Sequence, residues 1–415
     1  MNRFFKGAAC GLALLIHQSF PAFAEDVTLN AIFMKQAAYS EDDTKAMAKT
    51  FEAANPGLKV NLEFVPYEAL HDKIVAAQGA GSSGYDVVLF DVIWPPEFAT
   101  KGFLQDVTAR VPKTDRDKVF DGAWTTVDYD GKIWGMPWIL DTKYLFYNQD
   151  MLKQAGISAP PKTFEELAEQ AKIIKDKGIV KFPIVWSWSQ AEALICDYTS
   201  MVGGAKGSFT QDGKLSFDTG GSVEAVNYMK KTLDDGVTNP NSREYLEEDV
   251  RKVFSAGEAA FAMNWTYMFN MANDPKESKV AGKIGIVPAP GFKGKAEASA
   301  INGSMGLGIS AGSKHPDEAW KFITFMTSQE TQNKYAKLSL PIWKSSYDDP
   351  AVTKGQEKLI DAAKVSLGVM FARPMTPSYP ELSSILQKNI QQVLLGQAST
   401  DDAMTAATKA AGRLR

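Results

Sequence analysis

The sequence predicts an α/β protein made of more than one compact body, and three observations carry that prediction. Between Val27 and Phe90 the chain alternates strand, helix, strand, helix, strand, which opens a parallel sheet layered with helices. Its length of 415 residues suggests two or three domains, at roughly 150 residues each. The stretch Lys132 to Asn148, KIWGMPWILDTKYLFYN, is too apolar for a surface loop. It is also too interrupted at Asp141 for one buried strand. It reads as chain crossing from one body to another, with Trp138, Asp141 and Tyr144 at the crossing. A β-hairpin turning on Asp141-Thr142 fits the same residues.

Each element has a local reason. Val27–Phe33 alternates as a strand. Ser40 offers a helix N-cap with Asp43 three residues on, and Met47, Phe51 and Ala54 repeat at helical spacing up to Asn55-Pro56-Gly57. Leu58–Val65 is a second strand, Tyr67–Ala80 a helix, and Gly-Ser-Ser-Gly breaks the chain before the third strand, Tyr85–Phe90. Asp91 and Trp94 lie just past that strand, where open α/β sheets collect ligands. Glu97–Gln105 reads as a short helix, and strand pieces flank Asp130-Gly131. Thr163 with Glu166 caps a helix that stops at Gly178, and Phe182–Trp188 is a strand. Helices are expected over Ala191–Val202, Ser222–Asp235 and Glu247–Ser255. Lys283–Val287 is strand-like, and the glycine-rich strand Ile301–Ser310 is a candidate second crossing. His315-Pro316-Asp317 opens an amphipathic helix, and two helices close the chain, the last started by Ser399.

The first two dozen residues read as a secretory signal peptide: a basic head at Arg3 and Lys6, an apolar run, and Ala22-Phe23-Ala24 as the cleavage site. Export to the periplasm follows, since Cys10 lacks the setting of a lipid-modified cysteine. No later run of about 20 apolar residues predicts a membrane span. The formal charge is −4, and two units more negative once Arg3 and Lys6 leave. That balance excludes nucleic acid and anionic lipid as expected partners. Cys10 departs with the leader, so Cys196 stands alone and no intrachain disulfide is expected.

Nine tryptophans mark the chain, several at strand ends or in loops: Trp94, Trp138, Trp186, Trp188, Trp265 and Trp343. Indole faces pair with the apolar C–H faces of a sugar ring, and carboxylates hold its hydroxyl edge. Asp91 and Asp141 are the candidate carboxylates, and Trp265 and Tyr267 share the short run NWTY. Arg373, between loop prolines in ARPMTPSYP, can donate a fork of hydrogen bonds. An anionic solute would need more cleft cations than Arg373 and Lys143. Enzyme motifs such as GxSxG, HExxH and a Walker loop are absent. With only His71 and His315 beyond the leader, neither a metal nor a cofactor is expected. Glycoside hydrolysis by paired carboxylates is the alternative activity.

An ordered set of landmarks adds a further expectation. FEAANPG at 51–57, YDVVLFDVIW at 85–94, GMPWILDTKYLFYNQDML at 135–152, VWSWSQAEALICD at 185–197, AGEAAFAMNWTY at 256–267 and RPMTPSYPELS at 373–383 follow one another along nearly the whole chain beyond the leader. In this the sequence resembles the family 1 extracellular solute-binding proteins of ABC importers, and most of all the trehalose- and maltose-binding members. The resemblance implies a type II periplasmic-binding-protein fold. Its lobes would span residues 25–139 with 304–328 and residues 142–302 with 333–415, each a mostly parallel sheet flanked by helices and joined by hinge strands. It implies a monomer that delivers a small carbohydrate to an ABC permease. By resemblance Asp91, Asp141, Trp265, Tyr267 and Arg373 fall on sugar-holding positions. Trp94, Trp186, Glu192, Gly303, Ser304, Gln36 and Ser40 fall beside them. Two departures stand out: neutral Ser40 near an acidic ligand residue of the relatives, and Met305 near a stacking tryptophan. The loss of that ring points toward another small glycoside or a polyol.

Overall fold

In the computed structural model, Met1 and residues 26–35, 38–79 and 84–414 are described. The expected signal peptide and Gln36 lie outside those residues. Two sheets organise the rest. The first contains β1 (Val27–Met34), β2 (Leu58–Val65), β3 (Val87–Asp91), β4 (Met136–Ile139) and β10 (Met305–Ile309). The second contains β5 (Lys143–Asn148), β6 (Ile184–Val185), β7 (Phe261–Trp265), β8 (Ile284–Pro290), β9 (Ala298–Ile301) and β11 (Met370–Phe371).

The first sheet runs β2-β1-β3-β10-β4. β2, β1 and β3 are parallel, and only β10 runs against its neighbours. Its opening matches the pattern of the sequence. Ser40 accepts from the backbone N–H of Asp43 at 3.0 Å, and Asp43 accepts from that of Ser40 at 3.3 Å. This capping box starts the helix Glu41–Ala54. That helix buries Met47, Ala48 and Phe51, and the Phe51 ring meets Phe322 of helix Pro316–Met326 edge-on at 5.1 Å.

The second sheet runs β11-β9-β8-β5-β7-β6. The expectation of a mostly parallel sheet is corrected here: β5 is antiparallel to β7 and β8, and β8 to β9. The reason is chain direction. β5 leaves the crossing and runs outward, while β7 returns toward it, so Lys143 at the start of β5 pairs with Trp265 at the end of β7. Both faces of β5 are covered. Tyr144 and Phe146 enter one core, and Leu145 enters another. This explains the unbroken apolar run YLFY.

The crossing reading of residues 132–148 therefore replaces the hairpin alternative, because β4 and β5 belong to different sheets. The second crossing is Asn302–Ser304, between β9 and β10. Gly303 donates its N–H to the Asp141 carbonyl at 3.1 Å, so the two crossings are bonded to each other. Ser304 is fully buried there, and its hydroxyl accepts from the Asp141 N–H at 3.4 Å. Ile342, Trp343 and Tyr379, late in the chain, pack into the core of the first sheet. Other boundaries moved slightly. The helix read at Glu97–Gln105 is Pro95–Thr100, and the strand read at Phe182–Trp188 shortens to Ile184–Val185.

Candidate functional site

Strand ends from both sheets open onto one cavity of about 380 Å³. Asp91 ends β3, Ile139 ends β4, Met305 begins β10 and Trp265 ends β7. Within the first sheet Met305 is paired with both Asp91 and Ile139. All four residues line the cavity, as do Asp141 and Gly303 at the crossings. Glu192, at the first turn of helix Glu192–Gly204, and Glu247 and Glu248, at the first turn of helix Glu247–Ser255, close the other wall.

Arg373 joins the two halves. It follows the edge strand β11 of the second sheet, and the residue is 3% exposed. Nη2 donates to Asp91 Oδ1 at 2.8 Å and to the Asn302 carbonyl at 3.3 Å. Nη1 donates to Glu192 Oε1 at 2.8 Å. Burial opposes the charge, yet Asp91 and Glu192 hold its pKa well above the ordinary arginine value. Each carboxylate has a second support. Tyr67 donates to Asp91 Oδ2 at 3.0 Å, and Tyr379 and Ser383 each donate to Glu192 at 2.5 Å.

Trp265 is held from three sides. Its Nε1–H donates to Glu247 Oε1 at 3.1 Å, and the Lys143 ammonium lies 5.2 Å from the ring centroid. On a third side is Gly303, where a Cβ would meet Trp265 Cζ3 at 2.2 Å. Lys143 is no cleft cation. Fully buried, it donates to Asp197 and to Ser187 at 2.8 Å each and pairs with Glu247 at 3.3 Å. Burial alone would discharge it, and those acids reverse the effect, holding its pKa above the usual lysine value. Tyr267 lines the same wall with its phenol pushed well above the ordinary range, first by burial and then by Glu248.

Asp141 sits at the hinge and is 5% exposed. All its side-chain bonds fall on Oδ1: Thr266 Oγ1–H at 2.5 Å, the Thr266 N–H at 3.3 Å and the Thr142 N–H at 2.8 Å. Among the described residues none donates to Oδ2, and Asp141 lines the cavity. Burial pushes its pKa up to about 7, against those hydrogen bonds. The folded pKa exceeds the unfolded one, so the folded state holds an extra proton between about pH 4 and pH 7. Stability from this group is therefore present at acid pH and is lost as pH rises to about 7. Asn is the isostere of the protonated acid. Asp141→Asn should match wild type in melting temperature below about pH 4 and exceed it at about pH 8. A constant difference at both pH values would contradict the assignment.

Several expected residues stand elsewhere. Trp186 is corrected: it is fully buried, stacked on Trp188 at 5.0 Å, with Nε1–H donating to Thr238 Oγ1 at 3.2 Å. Trp94 is buried behind the wall and stacks on Tyr67 at 5.9 Å, so it supports Tyr67 without lining the cavity. Trp138 packs in the first core against Phe33 and Tyr39. Ser40 serves its capping box, and Ser304 the hinge. Sequence reasoning missed Tyr67, Glu68, Glu247 and Glu248 as lining residues. The available signal was position: Tyr67 and Glu68 begin the helix after β2, and Glu247-Glu248 begin a helix before the NWTY strand end.

Two sheet-centred lobes, two bonded crossings and one cavity walled from both sides define a two-lobed solute-binding protein. The comparisons with known proteins agree. The family model "Bacterial extracellular solute-binding protein" matches residues 37–333. The chain is 29% identical over 371 residues to a probable ABC transporter-binding protein of Deinococcus radiodurans, covering 85% of this chain and 86% of that one. It is similar to the structure of maltose-bound MalE3 of T. maritima, with a TM-score of 0.85, 29% identity, and 92% and 98% of the two chains covered. It is also similar to an ABC transporter solute-binding protein of Thermotoga lettingae bound with α-D-tagatose, with a TM-score of 0.83, 25% identity, and 93% and 99% covered. The chain belongs to the bacterial extracellular solute-binding protein family. That family and these neighbours are binding proteins, so glycoside hydrolysis is set aside.

Proposed function

We propose that the protein captures a small carbohydrate, a di- or oligosaccharide or a related glycoside or polyol, and hands it unchanged to the permease of an ABC importer. The observation that carries this reading is the shared cavity, where one indole lies among carboxylates and a bidentate arginine. Trp265 takes the apolar face of the sugar. Asp91, Asp141 and Arg373 take its hydroxyls. The lobes, residues 25–139 with 304–328 and residues 142–302 with 333–415, close about Ile139–Thr142 and Gly303–Met305. A sugar drives closure only by the contacts it gains in the closed form. Neighbours of this fold hold maltose and α-D-tagatose, and relatives are named for arabino-oligosaccharides and maltodextrin. The protein acts as a monomer in the periplasm. Among the described residues no helix is long and apolar enough to cross a membrane.

A thermal-shift screen against neutral sugars and polyols tests this. A melting temperature that rises with sugar concentration is expected, because ligand bound only to the folded state stabilises it. Trp265→Ala should weaken the best sugar at least tenfold, about 1.4 kcal/mol, by calorimetry. Unchanged affinity would remove the indole from the site.

A further inference from the structure

The charge around the cavity goes beyond what a neutral sugar needs. Arg373 serves two carboxylates, Asp91 and Glu192. Lys143 likewise serves two, Asp197 and Glu247. Glu248 is paired with Arg251 from behind the wall, and Glu41 with Lys45. Asp141 and Glu68 also line the cavity, and among the described residues neither has an ion-pair partner. The remaining lining cation, Lys35, is exposed. Among the described residues that line the cavity, carboxylates thus outnumber cations.

We infer that the ligand is a sugar bearing a protonated amino group, seated with that amine against Asp141 Oδ2. The inference rests on the carbohydrate reading above and narrows it. Asp141 is almost wholly buried, its Oδ1 is saturated by three donors, and among the described residues its other oxygen has no protein partner. An ammonium group offers three donors and a full charge, and in a site that closes and expels water that charge counts for more than a hydroxyl. A neutral sugar offers no charge to pair with Asp141 and leaves it its proton. An anionic sugar would add to the negative charge around it. The orientation also follows. Lys143 already lies over the Trp265 ring, which weakens that ring as a seat for a second cation. The indole therefore takes a C–H face of the ring, and the amine goes to the carboxylate. In the empty cleft the raised pKa of Asp141 lets it hold a proton, which the incoming ammonium displaces.

The test is calorimetric titration of the intact exported protein with matched probes, below the pKa of the amine. D-glucose, D-galactose, D-mannose and maltose are compared with D-glucosamine, D-galactosamine, D-mannosamine and the disaccharide of glucosamine, with D-glucuronate as the anionic control. The tightest amino sugar should bind at least tenfold more tightly than the tightest neutral sugar, and glucuronate should not bind. Asp141→Asn and, independently, Glu68→Gln should each lower the ratio of amino-sugar to neutral-sugar affinity. The Glu68 variant keeps the test open should the hinge variant fold poorly. Neutral sugars binding as tightly as amino sugars would overturn the inference and leave the carbohydrate reading standing. Failure of both kinds to bind would overturn both.

Discussion

Arg373→Met is expected to abolish sugar binding and to destabilise the protein. The guanidinium is the tie between Asp91 on the first sheet and Glu192 on the second body, at 2.8 Å to each. Removing it leaves the buried Asp91 and the half-buried Glu192 facing the cavity without that counter-ion. Breaking a buried pair by deleting one partner costs about 3–5 kcal/mol. The loss in affinity should reach at least a hundredfold, about 2.8 kcal/mol, because the proposed site loses both a hydroxyl donor and the group that orders Asp91. A triple variant separates the two effects. Adding Asp91→Asn and Glu192→Gln should restore much of the melting temperature, since neutral amides do not need the cation. Sugar affinity should stay lost. Recovery of binding in the triple variant would mean that Arg373 acts only on stability.

Gly303→Ala should have the next largest effect. The added methyl carbon would lie 2.2 Å from Cζ3 and 2.4 Å from Cη2 of Trp265. Those distances are far inside van der Waals contact, so the indole or the crossing must move. Overpacking of this kind costs about 1–3 kcal/mol. Here the ring is pinned on its other sides by Glu247 and Lys143, so little of the strain can relax. Affinity should fall at least tenfold, and the emission maximum of tryptophan fluorescence should shift as Trp265 leaves its seat. A variant with wild-type affinity would show that the crossing has slack.

Much of this site was legible in the sequence because it sits on strand ends. YDVVLF reads as a buried strand, so Asp91 beyond it had to emerge at the carboxyl edge of the sheet. The apolar run broken at Asp141 marked the first crossing for a similar reason. A buried strand covered on both faces loses its alternation, and the polar break shows where cover ends. Tryptophan was the weaker guide. Trp186 and Trp265 both close short strand-like runs, and only the partners they meet in space separate them. Trp186 meets Trp188 and Thr238, whereas Trp265 meets Lys143, Glu247 and the gap left by Gly303. The direction of the second sheet was hidden as well, because pairing β5 with β7 and β8 joins segments more than a hundred residues apart.

The most direct measurement is a crystal structure of the protein grown with the tightest sugar from the titrations. The account predicts one sugar ring lying against the Trp265 indole, with polar groups within hydrogen-bond reach of Asp91, Asp141 and Arg373, so that both lobes touch the same molecule. A sugar held by one lobe alone, or bound away from Trp265, would contradict it.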